Sequence, residues 1–137
     1  MFLWAGYRVA LYTIARERNL GIDVELIQTE FAGDEIAKRY FSAGEVNDLY
    51  SLAPEERAEG FYNCWTRKEA YLKARGLGLQ IPLGSFSLSL RPDRPAEFLA
   101  GVEPRWQLAA FRPAERYAAA VVYDGTPTSI RLRAVKL

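Results

Sequence analysis

The sequence predicts an α+β fold, with helices packed on one face of a mainly antiparallel sheet. Three observations lead there. A pair of extended segments comes first, residues 34–75 then carry apolar side chains at helical spacing, and beyond Gly78 the apolar positions recur every second residue. At 137 residues the chain is expected to form one domain over 1–137, long enough to bury a core without staples.

Val9 to Ala15 reads as a strand buried on both faces. Asn19, Leu20 and Gly21 turn the chain into a second strand, Ile22 to Ile27, so the two form a hairpin by position. Asp34 to Phe41 places Ile36, Ala37, Tyr40 and Phe41 at helical spacing, with Asp34 and Glu35 in the first turn where the helix dipole favours acids. Ser42 and Glu45 match a capping box ahead of Val46, Leu49 and Tyr50. Pro54 suits the start of a long helix over 54–75, and Gly76 the residue just past its end. Gly60 inside that helix costs about 1 kcal/mol relative to alanine, which calls for a compensating close contact or bend. Phe86/Leu88/Leu90, Trp106/Leu108/Ala110, Tyr117 to Tyr123 and Ser129 to Val135 are the later strands. Arg91-Pro92-Asp93, Arg112-Pro113-Ala114 and Asp124 to Pro127 turn between them.

Composition excludes several classes of function. Eighteen Lys+Arg against 17 Asp+Glu leave a net charge of +1, so no global field draws the chain to nucleic acid or a membrane surface. The apolar start, Phe2-Leu3-Trp4, is interrupted by Arg8 and is too short for a membrane span or a signal peptide. With no histidine, a Ser/His/Asp triad and a His-ligated zinc site are impossible. The one cysteine, Cys64, rules out an internal disulfide and reads as a small buried thiol, in keeping with a cytoplasmic setting.

Carboxylates and amines remain for chemistry. Asp23 and Glu25 alternate with Ile22 and Val24, which puts both acids on one strand face. Glu69 and Lys73 lie one turn apart on the flank of the long helix, whose apolar arc holds Phe61, Trp65 and Leu72. Three acids converging make an oxygen site of the kind magnesium accepts. Lys68 falls inside the apolar arc, so its ammonium must either reach outward or meet an anion in a cleft. Each feature also has a plain structural reading. A Glu/Lys pair four apart is most often surface support, an Asp-x-Glu on a strand is most often a solvated edge, and Glu45 is accounted for by its cap.

In combination these segments carry a resemblance. Gly21-Ile22-Asp23-Val24-Glu25, then Ala37 to Ser42 with Glu45, then Trp65-Thr66-x-Lys68-Glu69-Ala70-Tyr71-x-Lys73 with Gly76-x-Gly78-Leu79, resemble the 4′-phosphopantetheinyl transferase superfamily. Trp65 and Pro82-Leu83-x-Ser85-Phe86 are similar to its larger, surfactin-synthetase-activating type, of which the chain resembles the C-terminal half. The resemblance implies transfer of the 4′-phosphopantetheine arm of coenzyme A to a serine of an apo acyl or peptidyl carrier protein, with Mg2+, or Mn2+ in its place, as the metal. It implies Asp23, Glu25 and Glu69 as metal ligands. Glu69, or Glu45 through water, would act on the serine proton, Lys73 on phosphate and leaving group, and Lys68 on the coenzyme. Members of the larger type have two similar halves with the coenzyme between them. This chain has Trp4-Ala5 where the family usually has a His-Ser pair touching coenzyme. The expectation is therefore a homo-oligomer or a missing N-terminal half that completes the site. The alternative is a truncated or non-catalytic half-domain that binds carrier protein or lends its surface to a partner.

Overall fold

One long helix, α3 (Arg57–Arg75), lies along one face of a three-stranded antiparallel sheet in the computed structural model, which describes residues 2–5, 9–30, 33–76 and 80–133. The sheet order is β3 (Leu20–Leu26), β7 (Tyr117–Asp124), β6 (Trp106–Phe111). Pro54 opens a 3₁₀ turn, Pro54–Glu56, that runs into α3, as the fixed φ of proline favours. The helix stops at Gly76, whose φ of 108° is closed to most side chains and whose N–H reaches the carbonyls of Leu72 and Lys73. Gly60 is explained by contact: a Cβ there would stand 2.6 Å from Leu52 Cδ1, where α2 (Ala43–Ser51) and its exit cross α3. The capping box of α2 is complete, with Glu45 N–H donating to Ser42 Oγ and Ser42 N–H donating to Glu45 Oε1. α1 (Asp34–Tyr40) precedes it and buries Ala37.

The middle strand, β7, is buried from Tyr117 to Tyr123 because both of its faces are covered. Ala120 and Val122 join Phe61, Cys64, Ala70, Tyr71 and Trp106 in the core under α3. On the other face Val24, Tyr117 and Ala119 pack with Leu11 of β2 (Val9–Tyr12), which pairs with β1 (Phe2–Ala5). β4 (Ser87–Leu88) and β5 (Phe98–Ala100) form a separate small ladder beside the main sheet.

The α+β class and the helices at 34–40, 43–51 and 57–75 agree with the sequence reading. The hairpin does not. β2 ends at Tyr12 and pairs with β1, Ile14 is 94 % exposed, and β3 pairs along its whole length with β7. β3 instead lies at the edge of the main sheet, where its pairing with β7 buries Ile22 and Val24, and β6 covers the other side of β7. Residues 129–133 form no strand, while 134 and 135 lie outside the described residues. β5 was not foreseen, since Phe98-Leu99-Ala100 shows no alternation and Leu99 is exposed.

Candidate active site

Gly21 sets the geometry. A Cβ at this position would stand 2.1 Å from the Ala70 carbonyl oxygen and 2.3 Å from the Ala74 nitrogen, so the backbone of α3 rests directly on β3. Because strand side chains alternate, the face that meets α3 at Gly21 also carries Asp23 and Glu25. The sequence motif has thereby folded so that both acids point at the helix that bears Glu69 and Lys73.

Lys73 Nζ donates to Asp23 Oδ1 at 2.8 Å. Asp23 is only 4 % exposed, and its second oxygen, Oδ2, is buried without a hydrogen-bond partner. Burial pushes the Asp23 carboxyl up to about 7; Lys73 opposes the shift, and Glu25 and Glu69 add to it. Burial also raises Glu25, again against Lys73 and with Glu69. The three carboxylates and the lysine therefore act on one another electrostatically, with one cation set against three acids. Tyr62 is a further neighbour: burial raises its phenol and the Glu25 charge raises it further. Sequence reasoning missed Tyr62, although its place seven residues before Glu69 puts it on the same helical flank.

Among the described residues no group of three acids or thiols is drawn together tightly enough to hold a metal ion as it stands. The donor set nevertheless fits a hard divalent cation. It is all oxygen, it carries excess negative charge, and Asp23 Oδ2 is a buried acceptor with nothing to accept from. A carboxylate oxygen in that condition is costly unless a cation or donor reaches it.

Glu45 and Lys68 sit elsewhere and do something else. They form a 2.8 Å ion pair with side chains 1 % and 0 % exposed. Glu45 Oε1 accepts from Ser42 N–H and Oε2 from Leu88 N–H at 2.9 Å. Lys68 Nζ also donates to the carbonyls of Leu83 at 2.5 Å and Phe86 at 2.6 Å, and stands 4.0 Å from the centre of the Phe86 ring. All its donors are used inside the protein, so the anion that Lys68 meets is Glu45 and not a coenzyme phosphate. Glu45, sealed under α2 and β4, is not placed as a base acting through water. Both expectations are corrected by the same fact: desolvation made each charge the other's partner. The pair ties α2, α3 and the 83–88 segment together. Cys64 lies against it, and burial, then the Glu45 charge, lifts its thiol well above the usual range. Trp65 is half-buried, stacked on Phe61 with ring centroids 6.3 Å apart and edge-on to Tyr40, packed against the core rather than within it.

A small α+β fold thus carries a three-acid, one-lysine cluster between a strand and the helix lying on it. Residues 19–122 match the family model of the 4′-phosphopantetheinyl transferase superfamily, and the chain belongs to that superfamily. It is 35 % identical over 117 residues to the 4′-phosphopantetheinyl transferase HetI of Nostoc sp., covering 85 % of this chain and 48 % of that one. It is 43 % identical over 74 residues to the 4′-phosphopantetheinyl transferase Sfp of Bacillus subtilis, covering 54 % of this chain and 32 % of that protein. The chain thus spans about half or less of the length of these relatives. The fold is shared with a holo-(acyl-carrier-protein) synthase from Bacillus anthracis solved in complex with CoA (3′,5′-ADP). That match has a TM-score of 0.64 at 21 % identity, over 77 % of this chain and 94 % of that one. The holo-[acyl-carrier-protein] synthase of Thermotoga maritima matches with a TM-score of 0.59 at 19 % identity, over 80 % of this chain and 64 % of that one.

Proposed function

We propose that the chain carries the metal- and pyrophosphate-facing wall of a 4′-phosphopantetheinyl transferase acting on coenzyme A and a serine of an apo acyl or peptidyl carrier protein. The observation that carries this reading is the Asp23–Lys73 contact with Asp23 Oδ2 left bare and Glu25 and Glu69 beside it. Asp23, Glu25 and Glu69 would hold Mg2+, or Mn2+, whose chemistry there is neutralising charge on the pyrophosphate. Lys73, with its side chain 31 % exposed at the edge of the cluster, would bind a phosphate oxygen and stabilise the leaving group. Glu69 would accept the serine proton as the serine oxygen forms a bond to the phosphorus next to pantetheine. The phosphorus–oxygen bond to the bridging atom breaks, and adenosine 3′,5′-bisphosphate departs. Glu45 and Lys68 act at a distance, by fixing the rotation of α3 that presents Glu69.

The opposite wall is the open element. Coverage of 48 % of the first relative and 32 % of the second supports an active unit that includes further surface, from a second copy or from an N-terminal half. The same coverage supports the second reading, a half-domain that engages carrier protein without transferring the arm itself. The single cysteine and the net charge of +1 support a place in the cytoplasm, away from nucleic acid and membranes. Among the described residues no helix is long and apolar enough to cross a bilayer.

The test is transfer. Incubation with apo carrier protein, coenzyme A and Mg2+ should add the mass of the arm to the carrier, and Glu69→Gln should abolish the addition while leaving the melting temperature unchanged. A carrier that is bound by the chain but gains no mass would establish the non-catalytic reading instead.

A further inference from the structure

We propose that a second site, on the side of α3 away from the acids, receives a small organic anion. The site is a cleft of about 260 Å3 between α3, β6 and the Arg91–Asp93 turn, lined by Glu59, Asn63, Arg67, Pro92, Phe111 and Arg112. The anion's carboxylate or phosphate would meet Arg67 and Arg112 and its carbon skeleton would meet Phe111 and Pro92.

Arg67 is the reason. It lies at the middle of the sheet-facing arc of α3, about 160° around the helix from Glu69, and is 6 % exposed. Nη1 donates to the Ser89 carbonyl at 2.7 Å, and Nε is buried with no partner. Among the described residues no carboxylate lies within ion-pair distance of it. A buried guanidinium without a counter-charge is an expensive arrangement, because the desolvation of a cation is normally offset by a paired anion. Its pKa is lowered to about 10, by burial first and by the neighbouring Arg112, against the opposing charges of Cys64 and Glu59.

Arg112 supplies the second arm. Its Nη2 donates to Asn63 Oδ1 at 3.1 Å and pairs with Glu59 Oε1 at 3.0 Å, while Nη1 donates to the Tyr117 carbonyl at 3.4 Å. Asn63 is itself fixed, since its Nδ2 donates to the Leu90 carbonyl at 3.1 Å. Two guanidinium groups thus face one carboxylate, and that carboxylate sits at the half-exposed rim with Arg112. The cleft is short of one negative charge, and an oxyanion supplies it, in the forked geometry guanidinium groups favour. The site does not depend on the transferase reading, because none of its residues belongs to the acid cluster.

Side-chain NMR of the Arg67 Nε–H group, assigned by its disappearance in Arg67→Lys, tests the proposal directly. Benzoate and phenyl phosphate are titrated separately at constant ionic strength, with benzyl alcohol as the neutral control. The expected result is a saturable shift of the Arg67 signal with one or both anions, at a dissociation constant of about 1 mM or tighter. Which anion binds identifies the ligand class. Arg112→Ala, a change at a half-exposed side chain that spares the core, should weaken binding roughly tenfold, and Lys73→Met should leave it unchanged. An Arg67 signal that fails to saturate with either anion overturns the site. So does an equal response to benzyl alcohol, or binding that is lost in Lys73→Met but kept in Arg112→Ala.

Discussion

Lys73 Nζ reaches Asp23 Oδ1 across the α3–β3 interface at 2.8 Å, while the other oxygen of the same carboxylate is buried with no partner. A half-satisfied buried carboxylate is a liability to the fold, and it stands where the proposed chemistry needs a strong acceptor. Such sites commonly trade stability for function.

The pH dependence of stability should reveal this. Burial lifts the Asp23 pKa from 3.8 to about 7, so between those values the folded state keeps a proton that the unfolded chain releases. The carboxyl's contribution is therefore most favourable below about pH 4, falls as pH rises toward 7 and is flat above it. Asp23→Asn, which cannot ionise, should raise stability at pH 8 by about 1–2 kcal/mol, with the gain shrinking as pH is lowered. Denaturant unfolding of both proteins at pH 4 to 8 makes the comparison, and a gain that grows at low pH would contradict the sign.

Gly21→Ala should be among the most damaging small changes in the chain. Its methyl would meet backbone atoms of Ala70 and Ala74, which have no rotamer with which to retreat. Overpacking of this kind costs about 1–3 kcal/mol, more when backbone must move. Because the shift separates β3 from α3, calorimetric Mg2+ binding should weaken together with the melting temperature.

The Glu45–Lys68 pair is expected to matter for folding first. Lys68→Met leaves Glu45 buried without its cation and should cost about 3–5 kcal/mol. Adding Glu45→Gln to it should restore part of that loss, since two neutral side chains no longer carry an uncompensated charge. A direct coenzyme contact would instead show as a raised Michaelis constant with stability intact.

Ser42 caps α2 and also accepts a hydrogen bond from Ser87 Oγ at 2.7 Å. Ser42→Ala should cost about 1 kcal/mol in chemical unfolding, the usual value of such a cap. The loss should leave Glu69 and the acid cluster in place.

Much of the fold was legible because its signals are local. The Ser42/Glu45 box, Pro54 and Gly76 fixed helix ends through backbone hydrogen bonds that span only a few residues. The alternation Ile22/Asp23/Val24/Glu25 put both acids on one face whichever strand lay beside them. The acids and Lys73 were thus named from sequence, and their meeting was inferred from motif order. Tyr62, Arg67 and β5 were not, because nothing in their immediate neighbours distinguishes them from ordinary helix or loop residues.

By itself the sequence determined the three helices, the face of β3 that carries both acids, and which residues are candidates for the site. Tertiary structure decided that β3 pairs with β7 instead of β2, that Gly21 lets α3 touch β3, and that Lys68 is spent on Glu45. It also decided that Asp23 and Arg67 are buried with unmet hydrogen-bonding atoms. The physical reason is the same in each case. Periodicity and capping act through neighbours along the chain, whereas strand partnership and the cost of burying a charge depend on elements as far apart as Asp23 and Ala120.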